Sequence, residues 1–125
     1  MFKDFPLPNH PNAPKAAEAA HCAGEQNKYW EYHDKVFREQ YNKGDDLVRF
    51  KAADLKKWAK DTKLDQAKFD QCLDSEKYKS EVLKDKADGD AVSVQGTPTF
   101  FINGRVIGGA QPYPAFKQLI DDLLK

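Results

Sequence analysis

Asn103-Gly104 stands between two short apolar runs, Thr99-Phe100-Phe101-Ile102 and Arg105-Val106-Ile107, and nothing else in the 125 residues constrains the fold as strongly. Both central residues of a type I′ turn need positive φ, which Asn tolerates and Gly adopts freely, so the dipeptide predicts a hairpin. Gly108-Gly109-Ala110 ends the second strand. Pro114 suits the first turn of a closing helix, with Phe116, Leu119, Ile120, Leu123 and Leu124 on one apolar face.

Upstream the pattern is helical. From Lys15 to Glu39 the apolar side takes in Ala19, Cys22, Ala23, Trp30, His33 and Phe37 at spacings of mostly three, four or seven. Gly24 lies inside this run. Asn42 to Asp46 reads as a loop, and Phe50, Leu55, Trp58 and Ala59 mark a second helix beginning near Ala52. Asp65 suits the N-cap of a third, with Phe69, Cys72 and Leu73 on one face. Tyr78 and Val82 continue that stripe beyond a break at Asp74-Ser75, and the charge-rich stretch from Lys84 to Asp90 reads as a solvated helix end or loop. Trp30, Trp58, Phe69 and Tyr78 are read as core aromatics. Phe2 to Leu7 reads as a short strand, followed by a connector in which Pro8, Pro11 and Pro14 interrupt regular structure.

Composition narrows the functional classes. Twenty Lys and Arg balance twenty Asp and Glu, so the basic excess of a general nucleic-acid binder is missing. No apolar run approaches the roughly 20 residues that span a bilayer, so no membrane partner is expected. Met1 to Leu7 lacks a leader pattern, which by itself points to the cytoplasm. His10, His21 and His33 with Cys22 fit no zinc spacing, and His21 and Cys22 point about 100° apart on a helix, so no metal or other cofactor is expected. His33 beside Trp30 is read as a core-edge imidazole with one hydrogen-bond partner. Cys22 and Cys72 leave three readings open: a structural disulfide, two separate buried thiols, or a redox-active pair.

Five motifs, in order, carry a resemblance. Phe2-Lys3-Asp4-Phe5-Pro6-Leu7, Ala16-Ala17-Glu18-Ala19-Ala20-His21-Cys22-Ala23, Trp30-Glu31-Tyr32-His33-Asp34, Phe69-Asp70-Gln71-Cys72-Leu73 and Val94-Gln95-Gly96-Thr97-Pro98-Thr99-Phe100-Phe101-Ile102-Asn103-Gly104 together resemble the DsbA-like disulfide oxidoreductases of the thioredoxin superfamily. The resemblance implies an α/β, incomplete thioredoxin-like fold: a single partial domain over residues 1–125, with a helical insertion at about 15–90 and the hairpin and helix at about 94–125. It also implies that Gly96, Thr97, Pro98 and Thr99 form the family's cis-proline loop, which offers backbone to an extended peptide or protein substrate. An X–Pro bond in general is cis only about 5–6% of the time. Cys22 and Cys72 would be a structural disulfide, as in relatives resembling this chain. The family is often periplasmic or secreted.

The family's first strand and Cys-x-x-Cys helix have no counterpart in the 125 residues, so no catalytic residue is assigned. The expectation is a truncated or degenerate member without independent thiol–disulfide exchange. The alternatives are an enzyme completed by a partner chain that supplies Cys-x-x-Cys, and a non-catalytic peptide-binding module. With the central first strand absent, the flanking strands would have open edges, and a homodimer with exchanged or paired strands is expected.

Overall fold

Two helices stand where the sequence pattern suggests one. In the computed structural model, which describes residues 1–42 and 49–125, α1 spans Ala13–Gly24 and α2 spans Tyr29–Asn42. Pro14 lies in the first turn of α1, where a missing N–H costs nothing. The break comes at Asn27, whose φ of 59° is left-handed. Its N–H donates to the Gly24 carbonyl and that of Lys28 to the Ala23 carbonyl, both at 3.0 Å. This is a Schellman stop, which satisfies the orphan carbonyls of the last turn.

The same device ends three more helices: α3 (Ala52–Asp61), α4 (Gln66–Asp74) and α5 (Lys79–Ala91). Lys63, Glu76 and Ser93 take the left-handed position at φ 57°, 53° and 60°. In each case the next residue's N–H reaches back five residues: Leu64 to Ala59, Lys77 to Cys72 and Val94 to Gly89. None of the four is a glycine. At the helix starts, Asp54 accepts from the Lys51 N–H at 2.8 Å, and Asp65 caps α4 by accepting from the Lys68 N–H at 3.2 Å, as the sequence predicts. The loop expected from Asn42 to Asp46 lies, from residue 43 onward, outside the described residues; Asn42 closes α2.

The break rephases α2. Its buried residues are Tyr32 and Val36, while Trp30 and Phe37 are 54% and 59% exposed. The predicted apolar face, and the reading of Trp30 as core, are therefore corrected: four non-helical residues rotate the second segment relative to the first. Trp58 and Phe69 are buried as expected, and Tyr78 is partly so.

The described chain divides into two compact units, Met1–Ala87 and Asp88–Lys125. In the first, Ala19, Cys22 and Ala23 of α1 meet Leu55 and Trp58 of α3 and Phe69, Cys72 and Leu73 of α4 in one core with Tyr32. The Tyr32 hydroxyl donates to the Leu55 carbonyl at 2.9 Å, so the buried phenol is satisfied. Its pKa is pushed well up by that burial. A disulfide joins Cys22 of α1 to Cys72 of α4, with Cα atoms 5.8 Å apart.

Phe2 to Leu7 is not a strand; no ladder pairs with it among the described residues. An extended segment becomes a strand only through a partner's backbone, and here the buried Asp4 N–H donates instead to the Asp85 carboxylate at 3.1 Å. The reading of Lys84 to Asp90 as a solvated helix end holds for most of the segment and is corrected at Asp85. These residues belong to α5, and Asp85 within them is buried.

In the second unit, β1 (Thr99–Ile102) pairs antiparallel with β2 (Arg105–Gly108) in the register Phe100 to Ile107 and Phe101 to Val106. Asn103 and Gly104 turn the chain at φ 46° and 79°. The pleat sends alternate residues to opposite faces. Phe100 contacts Phe116 of α6 (Tyr113–Leu123) edge to face, with ring centroids 4.9 Å apart. Phe101 and Val106 lie on the other face, 50% and 59% exposed. Among the described residues, no helix is long and apolar enough to cross a membrane.

Candidate functional site

Gly96, Thr97, Pro98 and Thr99 form the loop that feeds β1. The Thr97–Pro98 peptide bond is cis. The Thr99 hydroxyl donates to the Gly96 carbonyl at 2.6 Å, closing the loop on itself. The Pro98 carbonyl accepts from the Gly109 N–H at 2.7 Å, tying the loop to the residue after β2. Gly109 has φ 80°, a conformation that a side chain would disfavour. Thr97 and Pro98 are exposed, and Gly96 and Thr99 half-buried.

Beside this loop runs an open groove of about 480 Å³. Val92, Val94, Pro98, Phe101 and Val106 give it apolar walls, and Ser93, Gln95, Thr97 and Thr99 add neutral hydroxyl and amide groups. No carboxylate, amine, imidazole or thiol is among the described residues that line it. It has apolar area to bury and hydrogen-bonding groups to offer, and none of its described lining residues is a general base that would activate the Ser93, Thr97 or Thr99 hydroxyl.

The sequence-predicted site residues therefore fall into two separate groups. Gly96 to Thr99 gather at the groove in the second unit. Cys22 and Cys72 lie in the first, bonded to each other and 1% and 5% exposed. The sequence reading missed Val92, Ser93 and Gln95 as groove residues. Val92 and Ser93 belong to the stop of α5, where Ser93 is left-handed without being a glycine, and nothing in the local pattern marks it.

The histidines are engaged elsewhere. His33 Nδ1 is 3.0 Å from the Asp34 carboxylate, the one hydrogen-bond partner expected of it. Its ring contacts Phe2, Trp30 and Phe37, which are themselves more than half exposed, so it lies in a surface aromatic cluster and not at the core edge. His21 Nε2 lies 2.6 Å from Asp4 Oδ2, and its ring stacks on Tyr78. The Tyr78 hydroxyl donates to Glu25 at 2.9 Å. Burial first, and then that bond, push its pKa up to about 12. Glu25 also pairs with Lys77, whose ammonium leads the groups holding the carboxyl below its usual range.

A sequence model of the family described as Thioredoxin matches residues 1–122. The chain belongs to the thioredoxin family. Among its curated relatives, the Na(+)/H(+) antiporter NhaA 3 of Salinispora tropica is 39% identical over 106 residues, which cover 84% of this chain and 15% of the antiporter. Disulfide bond formation protein D of Bacillus subtilis is 30% identical over 100 residues, 79% of this chain and 44% of that protein. The crystal structure of the thiol-disulfide exchange protein alpha-DsbA2 from Wolbachia pipientis superposes with a TM-score of 0.79 at 19% identity, over 98% of this chain and 64% of that one. The chain thus spans about 15% of the antiporters and less than half of the Bacillus protein. The fold is thioredoxin-like α/β with a helical insertion, and the thioredoxin-family protein is DsbA-like.

Proposed function

We propose that the 125-residue chain, a DsbA-like member of its family, catalyses no thiol–disulfide exchange by itself. The observation that carries this reading is the pairing of its only two cysteines, buried, with each other. Exchange begins with attack by an accessible thiolate, and a closed, buried disulfide supplies none. The groove supports a second reading alongside it. Apolar walls beside an exposed loop backbone suit an extended peptide, held without chemistry of its own.

An insulin-reduction assay on the purified chain tests the first reading. The expected rate is that of a Cys22→Ala/Cys72→Ala double variant and of a thiol-free control. A rate above both, abolished by Cys22→Ala alone, would show that the pair is redox-active. Restored activity on mixing with a separate Cys-x-x-Cys polypeptide would favour an enzyme completed by a partner. Titration with an unstructured, cysteine-free apolar peptide tests the second reading: binding weakened by Val106→Asp supports the groove, and no binding at all removes it.

A further inference from the structure

The tip of the hairpin carries two groups that react with each other: the Asn103 carboxamide and, one peptide bond on, the backbone nitrogen of Gly104. Both residues are exposed. Among the described residues, neither the Asn103 side chain nor the Gly104 N–H takes part in a hydrogen bond. The ladder closes at Ile102 and Arg105, which leaves the N–H between them free. A Cβ at Gly104 would meet nothing within 4 Å, so the nitrogen is open to approach.

The other asparagines differ at that nitrogen. Asn27 is exposed and left-handed too, at φ 59°, yet the Lys28 N–H after it donates to the Ala23 carbonyl at 3.0 Å. The His10 N–H after Asn9 donates to the Leu7 carbonyl, and the Ala13 N–H after Asn12 to the His10 carbonyl, both at 3.0 Å. His10, Ala13 and Lys28 also carry a side chain that crowds the nitrogen, and Gly104 does not.

We propose that Asn103 is a site of spontaneous deamidation in the folded chain, with the Gly104 backbone nitrogen as nucleophile. Hydroxide takes the Gly104 proton, and the nitrogen attacks Cγ of Asn103. As the N–Cγ bond forms, the Cγ–Nδ2 bond breaks and ammonia leaves, protonated by a water that regenerates the hydroxide. The resulting succinimide is opened by water at one of its two carbonyls. Opening at Cγ gives aspartate. Opening at the main-chain carbonyl gives isoaspartate, whose chain runs on through Cβ and Cγ. Ring closure needs Asn103 to leave its left-handed torsions, and the exposed tip between two four-residue strands is where local opening is easiest.

The two products act differently on the hairpin. Aspartate tolerates the left-handed position, so the turn survives with an added negative charge. Isoaspartate adds a methylene to the main chain between Ile102 and Arg105, and the register that pairs Phe101 with Val106 no longer closes on the same turn.

The test holds the full-length, oxidised chain under native, mildly alkaline conditions in water enriched in heavy oxygen. Peptide mapping then separates aspartyl from isoaspartyl forms at each asparagine. Because the other nitrogens must first give up a hydrogen bond, label should enter at residue 103 about tenfold faster than at Asn9, Asn12 or Asn27. Isoaspartate should be among the products. Asn103→Gln, whose longer side chain closes the ring slowly, should leave that position unlabelled over the same period. Asn9, Asn12 and Asn27 are internal controls, so the wild-type chain decides even where the variant fails to fold. Equal rates at Asn103 and Asn27, aspartate formed without isoaspartate, or conversion that begins only once urea unfolds the chain would each overturn the proposal.

Discussion

Removing the Cys22–Cys72 bridge should loosen the helical unit without dismantling it. The bridge ties residues 50 apart in sequence, and closing a loop of that size restricts the unfolded chain by roughly 4 kcal/mol in the chain-entropy account. The native side loses little else, because α1 and α4 are also held by the core around Phe69 and Leu73 and by Lys15 Nζ, which donates to the Leu73 carbonyl at 2.9 Å. In a Cys22→Ala/Cys72→Ala variant the buried sulfurs are lost, and each small void adds to the cost. Urea unfolding followed by fluorescence gives the readout, since Trp58 is 3% exposed within the core while Trp30 is half exposed. The expected result is a midpoint lowered by an amount equivalent to about 4 kcal/mol, with native far-ultraviolet dichroism retained in water. Dithiothreitol should lower the wild-type midpoint by a similar amount and leave the double variant unchanged. Two alkylatable thiols in the native, unreduced protein, or a midpoint unmoved by both treatments, would refute the reasoning.

Alkaline titration should find the phenols unequal: Tyr29, Tyr32 and Tyr78 all have raised pKa values, so native tyrosinate absorbance near about pH 11 should fall short of that of the unfolded chain. A raised folded pKa means that stability is complete below the unfolded value of about 10 and declines above it, through about 12 for Tyr78, so unfolding should be promoted on the alkaline side. Equal absorbance of native and unfolded protein would contradict this. We further propose that the chain self-associates through its hairpin, because Phe101 and Val106 are exposed on the face opposite Phe116, β1 pairs only with β2 among the described residues, and identical open edges are self-complementary about a two-fold axis. Light scattering should give twice the monomer mass, reduced to one by Phe101→Lys; a monomer mass at every concentration would rule the dimer out.

Local signals carried the hairpin and the helix caps. Asn103-Gly104 is legible because positive φ is a property of those two residues, and Asp65 because a carboxylate three residues before an N–H caps whatever helix follows. The loop at Gly96 to Thr99 was legible through family resemblance, while Val92 and Ser93 on the groove wall were not. What only tertiary structure decided has a common physical origin in partners distant along the chain. Left-handed stops at Lys63, Glu76 and Ser93 use residues with no intrinsic preference for them. Asn27 does tolerate that conformation, but one Asn beyond Gly24 is too weak a local signal to place the break that rephases α2 toward Tyr32 and Val36. Phe2 to Leu7 has the composition of a strand, yet a ladder is a property of two segments, and its Asp4 N–H found a carboxylate 81 residues away. Asp85, read as one more solvated charge, is buried because Lys3 and the Asp4 N–H satisfy it, and such compensation has no signature in the residues on either side.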